Sequence, residues 1–310
     1  MTGIDAKSQD VHELVEAAAT VEQLGTGFTF TEGPIWHPEK QLLYFSDMPA
    51  DVRRSITLDG DVREVLRPAW KCNGMTFDAQ LDLIVCEHAS STLVREHKDG
   101  VRETLAYHWQ GRYLNSPNDV CVRSDGTIYF TDPWYGRKPH YGVERERELG
   151  WQGVFRIPPG GGQAELDLAV AEDEFYMPNG LCFSLDESRL YINDTPRGHI
   201  KVFDVLPDGE LTNGRLFFEG IISETVGGKP DGMKCDERGN IWVTGPGGVW
   251  IISPEAELLG VARVPEVIGN LAWGGPDWKT LFIAASTSIY TLRTLVGPRR
   301  EPFMAQADHE

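Results

Sequence analysis

Cysteine is scarce in this 310-residue chain and shows no pairing pattern. Cys72, Cys86, Cys121, Cys182 and Cys235 form an odd set without a CxxC spacing, each in or beside an apolar run. This excludes a CxxC-type thiolate zinc site, argues against a disulfide framework, and reads as small buried hydrophobes in a reducing compartment. Positive charge is short as well. Lys and Arg number 29 against 47 Asp and Glu, a formal net charge of −18, so neither nucleic acid nor an anionic membrane is expected as a partner. No apolar run is long enough to span a bilayer, and residues 1–19 lack the cationic start and apolar core of a secretory signal. The cytoplasm is the expected location. Helical spacing is confined to residues 10–19 (DVHELVEAAA), with Asp10 as N-cap. There is no Ser-centred nucleophile elbow, and the glycine-rich stretches around Gly160 and Gly245 do not precede a helix, so a phosphate-binding loop lacks its context.

What is present is a repeat. Six times an Asx or Glu opens a short apolar strand, followed by a polar turn and a β-branched or aromatic strand. The copies are EGPIWHPEKQLLYFSD from Glu32, NGMTFDAQLDLIVCEH from Asn73, NDVCVRSDGTIYFTD from Asn118, NGLCFSLDESRLYIND from Asn179, DGMKCDERGNIWVTG from Asp231 and NLAWGGPDWKTLFIAAS from Asn270. By residue number the leading positions lie 41, 45, 61, 52 and 39 apart, a period that suits four-stranded propeller blades. Two further strands around a DG, PPGGG or PDG turn follow most copies. The sixth copy has only one, SIYTLRT, and residues 20–27 (TVEQLGTG) supply the missing strand from the other end of the chain. The expected fold is therefore all-β, a six-bladed β-propeller with four-stranded blades, closed by an N-terminal strand pairing with the last blade. Its bounds are residues 20–296, with an N-terminal extension at 1–19 that includes a short helix and a polar tail at 297–310. The polar stretch at 137–152 reads as a loop or short helix over one face.

Rotation about the propeller axis puts all six leading residues on one ring at one mouth. Six oxygen-bearing side chains then converge, two of them carboxylates, Glu32 and Asp231. Hard oxygen donors with two negative charges suit Ca²⁺, with Mg²⁺ or Mn²⁺ as alternatives and Zn²⁺ disfavoured by the lack of His and Cys. A blander reading has each Asn-Gly or Asp-Gly simply making a turn, which accounts poorly for Glu32. The ends of the returning strands, with Asp47, Glu87, His88, Asp132 and Asp194, form an outer ring at the same mouth. Of these, His88 and Asp132, joined by the nearby Trp134, are candidates to meet substrate.

The stretches TEGPIWHP, KCNGMTFD, LNSPNDV with SDGTIYFTDPWYG, MPNGLCFS and KPDGMKCD closely resemble the gluconolactonase and regucalcin (senescence marker protein) family of calcium-dependent propellers, and its bacterial gluconolactonase branch in particular. The resemblance covers about residues 31–287. It implies a lactonase in which Glu32, Asn179 and Asp231 bind the divalent cation, Asn118 is a fourth ligand or faces substrate, and Asp231 is the candidate general base. Asn118, Asn73, His88, Asp132 and Trp134 would then contact a small-molecule lactone, such as gluconolactone. The regucalcin branch has an Arg near Ser116, which this chain lacks, so sugar preference does not carry over. Two other functions compete: phosphotriester hydrolysis on the same metal site, as in the similar diisopropyl-fluorophosphatase, and a non-catalytic calcium- or ligand-binding propeller.

Overall fold

The computed structural model describes residues 2–304. Six antiparallel sheets stand around one axis, and the innermost strand of each packs against the innermost strands of its two neighbours, closing the ring. These strands are Thr31–His37, Cys72–Phe77, Val120–Val122, Pro178–Phe183, Met233–Cys235 and Ile268–Gly274, in blades one to six. Both faces of an inner strand meet a neighbouring blade, so the runs read as continuous rather than alternating apolar sequence. Every residue of Thr31–His37 and Ile268–Gly274 is buried.

Each of the six interfaces between successive blades holds its own apolar cluster. Between blades six and one, for example, Trp36 stacks on Phe282 with ring centroids 5.4 Å apart. The core is thus six wedges rather than one centre, and closure of the ring decides whether the last wedge is buried at all. That closure is made as the sequence suggested. Glu22–Thr26 adds antiparallel to Ser288–Arg293 as the outer strand of blade six, with Glu22 opposite Thr291 and Thr26 opposite Ser288.

The two ends of the chain depart from expectation. The extension at 1–19 contributes a strand, Ile4–Ala6, as a fifth member of blade five, and a 3₁₀ helix, Gln9–Glu13, capped by Ser8 rather than Asp10. Val11, Leu14 and Val15 anchor this segment in the wedge between blades five and six. The described part of the tail, to residue 304, is not merely polar. Phe303 and Met304 pack into the wedge between blades one and two, and Arg299 is buried in ion pairs with Glu187 and Glu301. With Pro298 and Glu301 they line a narrow cleft that also contains Val120, Leu181 and Ala272 from three inner strands, so the tail covers the end of the channel formed by those strands. The tail segment at 305–310 lies outside the described residues.

All five cysteines are buried and unpaired. Burial raises their thiols, that of Cys72 to about 11, which makes them inert packing groups. Among the described residues no helix is long and apolar enough to cross a membrane.

Candidate active site at the channel mouth

At the other end of the axis lies a cavity of about 230 Å³, lined by Glu32, Asn73, Asn118, Asn179 and Asp231 together with His88, Phe30, Met48, Tyr135, Lys138 and Tyr141. Five of the six leading residues therefore meet, as the repeat implied. Three of them sit at a bulge at the start of the inner strand. The pairing register slips between Glu32 and Ile35, Cys72 and Met75, and Pro178 and Leu181, and the extra residue turns the leading side chain towards the axis.

The glycine that follows has a role other than the turn first considered. A Cβ on Gly33 would lie closer than 3.0 Å to the Asn73 carbonyl, one on Gly74 equally close to that of Asn118, and one on Gly180 to that of Asp231. Each glycine lets the next blade's inner strand approach closely. Blade three breaks the pattern with Asp119, and this was the signal of a residue overlooked in the repeat. Asp119 is buried, its Oδ2 has no hydrogen-bond partner, and its charge raises the carboxyls of Glu32 and Asp231. The sixth leading residue, Asn270, does not reach the cavity; its Oδ1 accepts from the Leu271 N–H at 2.9 Å.

The carboxamides are linked across blades. Asn73 Nδ2 donates to Asn118 Oδ1 (2.7 Å), Asn118 Nδ2 to Asn179 Oδ1 (2.6 Å) and Asn179 Nδ2 to Thr195 Oγ1 (3.0 Å), which donates to the Pro230 carbonyl (2.7 Å). Asn73 Oδ1 is left buried without a partner. His88 is fully buried, and burial lowers its pKa to about 4, so its ring is neutral. Its Nδ1 lies 3.0 Å from the Tyr141 carbonyl and its Nε2 lies 3.1 Å from both Asn73 Nδ2 and Asn118 Oδ1. An Nδ1–H donating to Tyr141 leaves Nε2 to accept from Asn73, so His88 ties the loop over the mouth to the ring.

Asp132 and Trp134 are corrections. Neither lines the cavity. Asp132 does end at the mouth, but its oxygens accept from the backbone N–H of Asn115 (2.8 Å) and Ser116 (2.7 Å). Asp47 does the same for Thr29 and Phe30, and Asp194 for Tyr176. These acceptors hold the residues two and three positions before Glu32, Asn118 and Asn179, so the outer ring braces the inner one instead of meeting substrate. Trp134 turns away beneath the Arg147 guanidinium, and its neighbour Tyr135 faces the cavity instead. Asp132→Ala strands two buried N–H groups at about 1–3 kcal/mol each. The melting temperature is expected to fall by several degrees and cation affinity with it, measured by thermal melts with and without Ca²⁺; an unchanged pair of melts would remove the bracing role.

Glu32 is buried and Asp231 half-buried, and neither forms an ion pair with Lys or Arg among the described residues. Burial pushes both carboxyls above the usual range, and the Glu32 charge raises Asp231 further. Gly33 N–H donates to Glu32 Oε2 at 2.9 Å. No cluster of three or more His, Cys, Asp or Glu able to hold a metal occurs among the described residues, because the oxygen set here mixes two carboxylates with carboxamides. Buried, mutually repelling carboxylates beside amide oxygens suit a hard divalent cation, which would remove the repulsion.

The sequence profile of the SMP-30/Gluconolactonase/LRE-like region matches residues 30–287. A gluconolactonase of Zymomonas mobilis is 30% identical over 302 residues, covering 91% of this chain and 83% of the relative. A solved gluconolactonase structure from Xanthomonas campestris superposes with a TM-score of 0.84 at 32% identity, covering 94% of each chain. The calcium-binding protein regucalcin of Agrobacterium tumefaciens, at 18% identity, shares the fold with a TM-score of 0.74 over 92% of this chain and 97% of its own. With its six blades, its converging ring and a profile match across most of its length, the chain belongs to the SMP-30/gluconolactonase/LRE-like family.

Proposed function

We propose that this chain is a Ca²⁺-dependent lactonase that opens a sugar (aldono-) lactone such as gluconolactone. The observation that carries this reading is the pair of carboxylates without Lys or Arg partners, Glu32 and Asp231, among the carboxamides of one small cavity. Glu32, Asn118, Asn179 and Asp231 would hold the cation, with Zn²⁺, Mg²⁺ or Mn²⁺ as the alternatives. Bound there, Ca²⁺ supplies a Lewis acid for the lactone carbonyl.

The remaining work falls to the chain's own groups. Asp231 accepts the proton of the attacking water, or orients that water, from inside a site that excludes bulk solvent. The orphaned Asn73 Oδ1 accepts a sugar hydroxyl, which satisfies an otherwise costly buried acceptor. His88, held on both nitrogens, keeps Asn73 and Asn118 in place. At about 230 Å³ the cavity lies below the roughly 300–1,000 Å³ of pockets for drug-sized ligands, which fits a single sugar ring. Buried thiols and the excess of negative charge support a cytoplasmic enzyme with a small-molecule substrate and no nucleic-acid or membrane partner.

The test is acid release from a panel of lactones after complete chelation and then with Ca²⁺, Zn²⁺, Mg²⁺ or Mn²⁺ added back. Chelation is expected to lower the rate by about 10²-fold or more, with Ca²⁺ restoring it best. Activity untouched by complete chelation removes the metal from the reading. Phe30, Met48 and the two tyrosine rings form an apolar wall, so a phosphotriester belongs in the same panel, and faster turnover of it would displace the lactone.

A further inference from the structure

The segment from Pro133 to Gly142 roofs the cavity, and it is fastened rather than loose. Ser116 Oγ donates to the Pro133 carbonyl (2.5 Å) and accepts from Gly136 N–H (2.9 Å), Arg137 bonds the Leu114 carbonyl, and His88 Nδ1 meets the Tyr141 carbonyl. The Lys138 carbonyl takes the N–H groups of Tyr141 (3.1 Å) and Gly142 (2.8 Å), closing a tight turn that fixes the lysine backbone.

From that turn the Lys138 side chain lines the cavity. Its ammonium lies 5.6 Å from the centre of the Tyr135 ring and forms no ion pair with a carboxylate among the described residues. Lys138 is exposed, and no other Lys or Arg among the described residues lines the cavity. Of the acids at this mouth, Asp47 is held by Arg54 and two N–H groups, Asp132 by Asn115 and Ser116, and Asp194 by Tyr176 and Arg197, while Glu32 and Asp231 on the floor of the same cavity have no Lys or Arg partner. Glu144, Glu146 and Glu148 lie further along the loop, exposed. A second ammonium, that of Lys71, meets only the carbonyls of Pro49 (3.3 Å) and His140 (3.4 Å), and it is near enough to His88 to disfavour a charge there. The mouth therefore carries Lys138 over an oxygen-rich floor, with Lys71 outside the lining and bonded to the same loop through the His140 carbonyl.

We propose that Lys138, assisted by Lys71, sets substrate choice, and that the preferred lactone carries an anionic substituent on the end remote from its carbonyl. The proposal rests on the lactonase reading. With the carbonyl at the Glu32–Asp231 floor, the far end of a sugar ring reaches the roof. A phosphate ester or carboxylate there makes a charge-assisted hydrogen bond in a partly desolvated site, and an ammonium presented from a fixed backbone loses less entropy in making it.

The experiment compares kcat/KM for glucono-1,5-lactone and its 6-phosphate ester, with wild-type protein and Lys138→Met in Ca²⁺, at low and high KCl. A lactone with a terminal carboxylate is the third probe and separates phosphate recognition from recognition of any anion. The wild type is expected to prefer the anionic lactones by about tenfold or more, the worth of one charge-assisted hydrogen bond, with the preference shrinking in salt. Lys138→Met should erase that preference, read as the ratio of kcat/KM for the anionic lactones to that for the neutral one. Hydrolysis of the neutral lactone with no preference for the anionic ones, or an equal loss on all three in Lys138→Met, overturns this inference and leaves the lactonase reading intact. No hydrolysis of any of them overturns both.

Discussion

Asp231→Ala is expected to lose cation binding and lactone hydrolysis together, with kcat/KM down about 10³-fold or more. The variant should nevertheless fold, because the side chain loses only its bond to Asn179 while the backbone of residue 231 keeps its hydrogen bonds to the fold. Its N–H donates to Thr244 Oγ1 (2.8 Å) and its carbonyl accepts from Asn193 Nδ2 (2.5 Å). The side chain works against the cation-free fold, since burial and the charges of Glu32 and Asp119 all raise its carboxyl. Removing it relieves that repulsion. The cation-free variant should melt at least as high as the cation-free wild type, whereas added Ca²⁺ should raise the melting temperature of the wild type only, because a ligand stabilises in proportion to its binding to the folded state. Calorimetric titration with Ca²⁺ and acid release from gluconolactone read the two losses separately. A variant that still hydrolyses the lactone would refute the assignment, and one that binds Ca²⁺ normally but is inactive would move Asp231 from ligand to base alone.

Gly180→Ala is expected to be strongly destabilising for a single added methyl group. Its Cβ would lie closer than 3.0 Å to the Asp231 carbonyl oxygen and to Asn193 Nδ2. The first is backbone, held just ahead of the inner strand of the next blade by the Asp231 N–H bond to Thr244, so it cannot rotate away. Relief requires blades four and five to part. The cost is about 3 kcal/mol or more, at or above the upper end for overpacking, and it falls on the segment carrying both Asn179 and Asp231. Thermal melts should show a loss of the same order as that from Asp132→Ala, and Ca²⁺ affinity should drop as the two ligands separate. A variant with wild-type melting and Ca²⁺ affinity would show that the close approach of the strands is not what the glycine serves.

The contrast between these substitutions shows what was legible in the repeat. Oxygen-bearing residues at six equivalent places were visible as a pattern, and five of them do converge. The following glycine was visible too, but its purpose was not, because contact between adjacent inner strands joins residues 40 to 60 positions apart, as Gly33 meets Asn73 and Gly180 meets Asp231. Asp132 was misassigned for a related reason. Strand order places its Cα at the mouth, but the direction of the side chain depends on where the preceding loop offers N–H groups. Lys138 and Tyr141 were passed over because they belong to no repeat, and a loop's path over the mouth is set by anchors such as Ser116 and His88 that lie far from it in sequence.

The sequence by itself determined the number of blades, the strand order, the closing strand and the chemical character of the ring. Each follows from local periodicity repeated six times, and rotation does the rest. Only the tertiary structure decided which oxygens face the cavity and which brace loops, why glycine follows the ring residues, and where the two ends of the chain lie. Those features depend on hydrogen bonds and close contacts between blades, which have no period along the chain.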